Sequence, residues 1–135
     1  MPSMNIFQLV GSAMHAQSTR LNTVASNLAN VDSVTGNPDE TYKAREPIFQ
    51  AIPLGDDPAV RGVRVGEIVE SKLAPIKRYE PGHPQADPDG YVYAPAIDPV
   101  AQMVNMISAA RSYQANVEML NTAKELAVAT INLGR

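Results

Sequence analysis

Cysteine and tryptophan are absent from this 135-residue chain, and phenylalanine occurs only twice. Without cysteine there is no disulfide and no thiolate metal site. The redox compartment stays open, because a chain that meets oxidising conditions can simply avoid thiols. Five tyrosines accompany the two phenylalanines, so the large rings that usually anchor a compact core are scarce. No apolar run approaches the roughly 20 residues needed to span a bilayer. The N-terminus lacks the basic stretch and continuous apolar segment of a cleaved secretion signal. A net charge of −3 gives no reason to expect nucleic acid or an anionic membrane surface as partner.

Charge is also scarce where the chain is most regular. From Asp98-Pro99-Val100 to Leu133 the sequence reads as one long helix. Met103, Ala110, Val117 and Ile131 form one apolar row, and Met106, Tyr113, Leu120 and Ala127 a second. Spacings of three and four place both rows on one face. Asp98 suits the N-cap, Pro99 the first helical position, and Gly134 the stop. Such a helix, roughly 50 Å long at about 1.5 Å per residue, is too long to hide in a domain of this size.

A second long helical pattern runs from Met4 to Val31, with Ser3 as the expected cap. Phe7, Met14, Leu21 and Leu28 recur at sevens, and Val10, Val24 and Val31 form the companion row, interrupted by Gln17. This is a coiled-coil-like seam about four heptads long. Arg20 is the sole charge between residues 3 and 31. The rest of the polar face is Ser, Thr, Asn and Gln, whereas a helix facing bulk water normally carries Lys and Glu. An uncharged, hydrogen-bonding face suits packing against other protein, since charge is depleted at interface cores.

The middle, 32–97, differs: nine of the eleven prolines lie there. Tyr42 to Phe49 reads as a strand that Pro47 confines to an edge or a bulge. Gly55-Asp56-Asp57-Pro58 reads as a turn. Val63 to Glu70 is the clearest alternating strand, and Ile76–Tyr79 and Gly90–Ala94 are shorter ones. The expectation is a small twisted sheet or a pair of hairpins. The fold class is therefore α+β: long N- and C-terminal helices pair as a coiled-coil-like hairpin around a small β-rich segment. Residues 1–31 and 98–135 form the helical part, and 32–97 the β-rich outer part.

Chemistry is hard to find. His15 sits on a helix and His83 in a proline-rich turn, with no nucleophile elbow, metal-spaced histidine pair or phosphate-cradling glycine loop. Asp87-Pro88-Asp89-Gly90 has the flavour of a calcium loop but lacks the later ligands and closing Glu, and reads as a turn. Met103 and Met106 read as packing. The expectation is no catalytic residue, no metal, no cofactor, no small-molecule substrate and no membrane insertion. A soluble helical adaptor that dimerises through its seam is the alternative, and a small hydrolase acting on cell-wall material a more distant one.

Specific motifs then narrow the choice. Ser26-Asn27-Leu28-Ala29-Asn30 closing the first helix resembles the signature of bacterial flagellar rod and hook proteins. Thr35-Gly36 is separated from Tyr42-Lys43 by a long linker, which resembles the proximal-rod branch of that family. Met103-Val104-Asn105-Met106-Ile107, Arg111-Ser112-Tyr113-Gln114-Ala115-Asn116-Val117-Glu118 and Leu120-Asn121-Thr122-Ala123-Lys124 carry the resemblance further. His83-Pro84-Gln85-Ala86-Asp87 and Gly90-Tyr91-Val92-Tyr93 extend it through the middle. The resemblance implies a structural subunit of the proximal rod, the drive shaft crossing the periplasm. It implies export through the flagellar type III apparatus without a cleaved signal, and helical polymerisation with other rod proteins and further copies of the chain. It also implies terminal helices that form the inner tube and order on assembly.

From the stripes themselves, Phe7, Val10, Met14, Leu21, Val24 and Leu28 are expected to face Met103, Met106, Ala110, Tyr113, Val117 and Leu120. Asn27, Asn30 and Asn116 are assigned to hydrogen bonds at helix ends and between subunits. Asn121 belongs to the same family motif set.

Overall fold

The computed structural model describes residues 2–55 and 59–134. In chain order it contains α1 (Pro2–Ala29), a short 3-10 turn (Pro38–Glu40), β1 (Arg45–Pro53), β2 (Arg61–Glu70), β3 (Ile76–Tyr79), β4 (Tyr91–Ala94) and α2 (Pro99–Leu133). The fold is α+β, with two long helices at the ends and a small antiparallel β segment between them.

α1 begins at Pro2, whose fixed φ suits a first helical position. The side chain of Ser3, the expected cap, lies outside the described residues. α2 starts as its sequence dictates: Asp98 is extended, and its carboxylate accepts from the N–H groups of Val100 and Ala101. At the far end the Gly134 N–H donates to the carbonyls of Thr130 and Ile131. At about 1.5 Å per residue, the 28 residues of α1 and 35 of α2 make rods of roughly 42 and 52 Å.

The helices are antiparallel. Asn27 near the end of α1 bonds Gln102 near the start of α2, and Arg20, two turns earlier, bonds Asn105. α1 lies between α2 on one side and the β1–β2 hairpin on another. Its buried residues, Val10, Ala16, Thr23, Val24 and Asn27, are the centre of the structure. α2 buries only Ala109.

β1 and β2 pair from Arg45↔Glu70 to Pro53↔Arg61, with a bulge between Ile48 and Phe49. The bulge sits beside Pro47, which has no N–H to give a ladder. In a two-stranded ribbon both strands are edges, so Pro47 and Pro53 are tolerated. β1 starts three residues later than the sequence pattern suggests, because Tyr42 and Arg45 are held by Asn27. It then runs on to Pro53 because β2 supplies a partner that far. Gly55 takes a positive φ of 72° as the chain leaves β1; Asp56, Asp57 and Pro58 of the expected turn lie outside the described residues.

β2 is bound to α1 through backbone as well as packing. The Val63 N–H donates to Ser12 Oγ at 3.2 Å, and Ser12 Oγ donates to the Leu9 carbonyl at 2.7 Å. The approach is so close that a Cβ on Gly62 would stand 2.9 Å from Ser12 Oγ. One edge of the ribbon is thus partly satisfied by the helix, which reduces its exposure as a free strand edge.

β3 and β4 form the second hairpin, Ile76↔Ala94 to Tyr79↔Tyr91. It is tied to the loop after α1 by reciprocal backbone bonds between Thr35 and Tyr93, 3.0 and 2.8 Å. Val92, fully buried, and Ala94 form its small core. Asp87 explains the Asp-Pro-Asp-Gly sequence: its Oδ1 accepts from the N–H groups of Asp89 and Tyr91, so the carboxylate closes a turn.

Candidate functional site

Among the described residues, no group of three His, Cys, Asp or Glu is placed to hold a metal ion. No described helix is long and apolar enough to cross a membrane. The surface with the most to explain is the helix pair, and it is built around Asn27.

Asn27 is 1% exposed and uses its whole hydrogen-bonding capacity. Its Oδ1 accepts from the Arg45 N–H at 2.9 Å and from the Tyr42 hydroxyl at 3.0 Å. Its Nδ2 donates to the Arg45 carbonyl at 2.9 Å and to Gln102 Oε1 at 3.2 Å. Two donors and two acceptor sites are all that an amide offers. One side chain on α1 thereby grips the start of β1 through both backbone groups of Arg45, and reaches across to α2. Burial pushes the Tyr42 phenol above its ordinary value, Arg45 opposes the shift, and Glu70 adds to it. The neutral phenol is the form that donates to Asn27.

A further bridge lies about two turns earlier on α1, where Arg20 Nε donates to Asn105 Oδ1 at 2.6 Å. The sole charge of the α1 sequence is therefore spent on α2. Beside the pair, an open groove of about 490 Å³ runs between α1 and the β1–β2 hairpin, lined by Thr19, Asn22, Ser26 and the Arg45–Glu70 ion pair.

The apolar residues singled out from the sequence fall into three groups. Val10 and Val24 are buried, at 1% and 2% exposure. Phe7, Met14, Leu21, Leu28, Met106, Ala110, Tyr113, Val117 and Leu120 are half-buried. Met103 is 54% exposed. At about 100° per residue it lies roughly 120° around α2 from Ala109, the best-buried position.

The packed face of α2 is Gln102, Ala109, Asn116 and Ala123 together with Met106, Tyr113, Leu120 and Ala127, all buried or half-buried. The second of these rows is the one the apolar pattern marked. The first is displaced by one residue from Met103–Ala110–Val117, because its members are small or polar and carry no hydropathy signal. α1 shows the same displacement: Arg20 and Asn27 stand at seven-residue spacing on the α2-facing side. Phe7, Met14, Leu21 and Leu28 form the edge of the pair.

The asparagines divide. Asn27 is the buried hub, and Asn30 Nδ2 donates to the Ser26 carbonyl at 2.8 Å at the end of α1. Asn116 is half-buried on the packed face of α2, and Asn121 is exposed near its far end. Ser26 and Ala29 are exposed and Leu28 half-buried. Gln102, Asn105, Ser12 and Tyr42 were not evident from the sequence pattern. Each acts through one hydrogen bond to a residue far away in the chain, which no local periodicity encodes.

Comparison with known families agrees with this architecture at both ends. Residues 7–36 match the model described as flagella basal body rod protein, and residues 89–133 that described as flagellar basal body rod FlgEFG protein C-terminal. These two matches contain most of α1 and all of α2, so the helix pair is that of a flagellar rod-type protein. At full length the likeness is more specific. Flagellar basal-body rod protein FlgC of Salmonella typhimurium is 49% identical over 135 residues, and that of Escherichia coli O157:H7 is 50% identical, each covering 100% of both chains. The FlgC protein of Aquifex aeolicus is 41% identical over 122 residues, 90% of each chain. The chain belongs to the FlgC family of flagellar basal-body rod proteins.

Proposed function

We propose that this protein is a structural subunit of the proximal flagellar rod, in which its two helices pack into an inner tube and residues 32–97 form the outer layer. The observation that carries the reading is α2: a helix of 35 residues in which only Ala109 is buried. Val104, Ile107, Leu126 and Ile131 are each more than half exposed along it. Val104 and Ile107 near its start and Leu126 and Ile131 near its end are thus two separate exposed apolar stretches, and such patches mark surfaces that meet other protein. Further subunits would cover them, completing the half-buried edge of Phe7, Met14, Leu21 and Leu28 with Met103, Met106, Ala110, Tyr113, Val117 and Leu120.

The rod relatives make a polymer the natural partner. A heterologous surface that does not close on itself extends into a helical array. Other rod proteins and further copies of this chain are the partners, reached in the periplasm through the flagellar type III apparatus without a cleaved signal. Asn116 and Asn121 would bond between subunits. The role requires no catalysis, cofactor or small-molecule substrate: the chain transmits load through many side-by-side contacts.

Leu21→Asp or Val117→Asp places a charge on the half-buried edge. Each is expected to abolish rods in electron micrographs of basal bodies while the protein is still made and secreted. Basal bodies of normal length and swimming cells with either change would refute the assignment of this edge.

A further inference from the structure

Two surfaces have no partner among the described residues. The first is the outer side of the N-terminal third of α2, where Val100, Met103, Val104 and Ile107 are 67%, 54%, 63% and 55% exposed. Spacings of three and four gather them into one short ridge, turned away from Ala109. Beyond Ile107 the same side becomes polar with Arg111, Gln114 and Glu118, so the ridge has a definite end.

The second surface is the side of α1 facing neither α2 nor the hairpin, where Gly11, His15, Ala25 and Ala29 are exposed. It carries no Lys, Arg, Asp or Glu, since Arg20 is engaged with Asn105. Its low point is Gly11. Glycine inside a helix costs on the order of 1 kcal/mol relative to alanine, and a close approach by another group is the usual compensation. Among the described residues nothing approaches: a Cβ on Gly11 would find no atom within 4 Å.

We propose that the α2 ridge docks on the Gly11 side of α1 in a second copy of this chain, with Val104, at the middle of the ridge, seated over Gly11. Bulky side chains meet the one position that lacks a side chain, and an apolar ridge meets a face without charge. The contact is heterologous, each copy presenting a ridge to one neighbour and a depression to the other. In its own chain Val104 lies level with the stretch between Arg20 and Asn27, given the Arg20–Asn105 and Asn27–Gln102 bonds. Gly11 is at least nine residues further along α1. The docked copy is therefore displaced along the axis by about 14 Å or more at ~1.5 Å per residue, and repetition builds a staggered array instead of a closed dimer. This inference rests on the rod-subunit reading and names a partner surface within it.

The absence of native cysteine makes the contact directly testable. Two full-length forms, Gly11→Cys and Val104→Cys, are co-expressed as the only source of the protein, and basal bodies are isolated and mildly oxidised. Within one chain these positions are too far apart to bridge, because a disulfide needs Cα atoms within about 7 Å. The expected result is a cross-linked dimer containing one chain of each kind, in excess over dimers of either form alone. Rods that contain the protein but yield no mixed dimer would overturn the docking and leave the rod reading intact. Basal bodies with complete rods that lack the protein would overturn both.

Gly11→Leu adds an independent readout. It is expected to leave the purified chain's helicity and melting temperature unchanged or slightly raised, while rods are lost. Normal motility with Gly11→Leu would also overturn the docking.

Discussion

α1 and α2 are similar in composition and differ in what covers them. Both are long and striped, and both carry few charges, one on α1 and four on α2. α1 is held between α2 and the β1–β2 hairpin, and buries Val10, Ala16, Thr23, Val24 and Asn27. α2 is seven residues longer (35 against 28) and buries one alanine. The same scarcity of charge thus has two causes. On α1 much of the uncharged polar face serves the chain itself, with Ser12 bonding β2 and Asn27 bonding β1 and α2. On α2 the uncovered side has no such use within one chain, and its demand for a partner passes to the assembly.

If that contrast is sound, damage to α1 should register in the isolated chain far more than damage to the exposed side of α2. The largest effect is expected from Asn27→Ala. It strands the Arg45 N–H and carbonyl and the Gln102 amide at a buried site, and should cost about 2–4 kcal/mol, given ~1–3 kcal/mol per buried unsatisfied group. A urea melt of the purified chain reads this directly, and a midpoint unchanged from the parent would remove Asn27 from the centre of the fold.

A smaller effect is expected at the one point where α2 is fully covered. Ala109→Leu adds three carbons where no space remains, and overpacking of this kind costs roughly 1–3 kcal/mol. The control is Ile107→Ser on the exposed side, for which a change within about 0.5 kcal/mol is expected. Equal losses from the two would erase the distinction between the sides of α2.

The smallest effect is a pH dependence at Tyr42. Its phenol is raised above 10.0 in the folded chain, so the folded state holds the proton more tightly than the unfolded one. The resulting stability is complete below pH 10 and is lost as pH rises through the folded value. Tyr42→Phe should flatten the fall in stability above about pH 10. At neutral pH it should cost at most about 1 kcal/mol, one hydrogen bond. An alkaline fall as steep as the parent's would assign the titration elsewhere.

Most of the secondary structure was legible because its signals are local. Asp98-Pro99 announces a helix start through capping and proline's missing N–H, and α2 begins there. The alternation of Val63 to Glu70 marks β2 to within two residues, and Ile76–Tyr79 marks β3 at both ends. The phase of the helix pair was less legible. The apolar rows of Val10 and Val24 on α1 and of Met106 and Tyr113 on α2 lie on the buried or half-buried side, whereas Met103 is exposed and the best-buried positions beside those rows are Ala109 and Asn27. Hydropathy cannot see a seam made of alanine, glutamine and asparagine, because such residues are buried by the hydrogen bonds they make and not by their transfer energy.

The family motif shows the same division. Ser26-Asn27-Leu28-Ala29-Asn30 pointed to a flagellar rod protein, yet the motif alone does not tell its two asparagines apart. Asn30 turns back to the Ser26 carbonyl one turn earlier, a bond available to any helix end. Asn27 reaches 15, 18 and 75 residues along the chain, to Tyr42, Arg45 and Gln102.

By itself the sequence determined the two long helices, the short strands between them, the scarcity of charge along the first helix and the family. These follow from short-range rules of capping, periodicity and turn chemistry, each acting within a few residues. Only the tertiary structure decided which helix is covered, which asparagine is the hub and that Gly11 is left facing open space. Those depend on where distant segments meet, and a side chain's hydrogen bonds and neighbours exist only once the chain has brought them together.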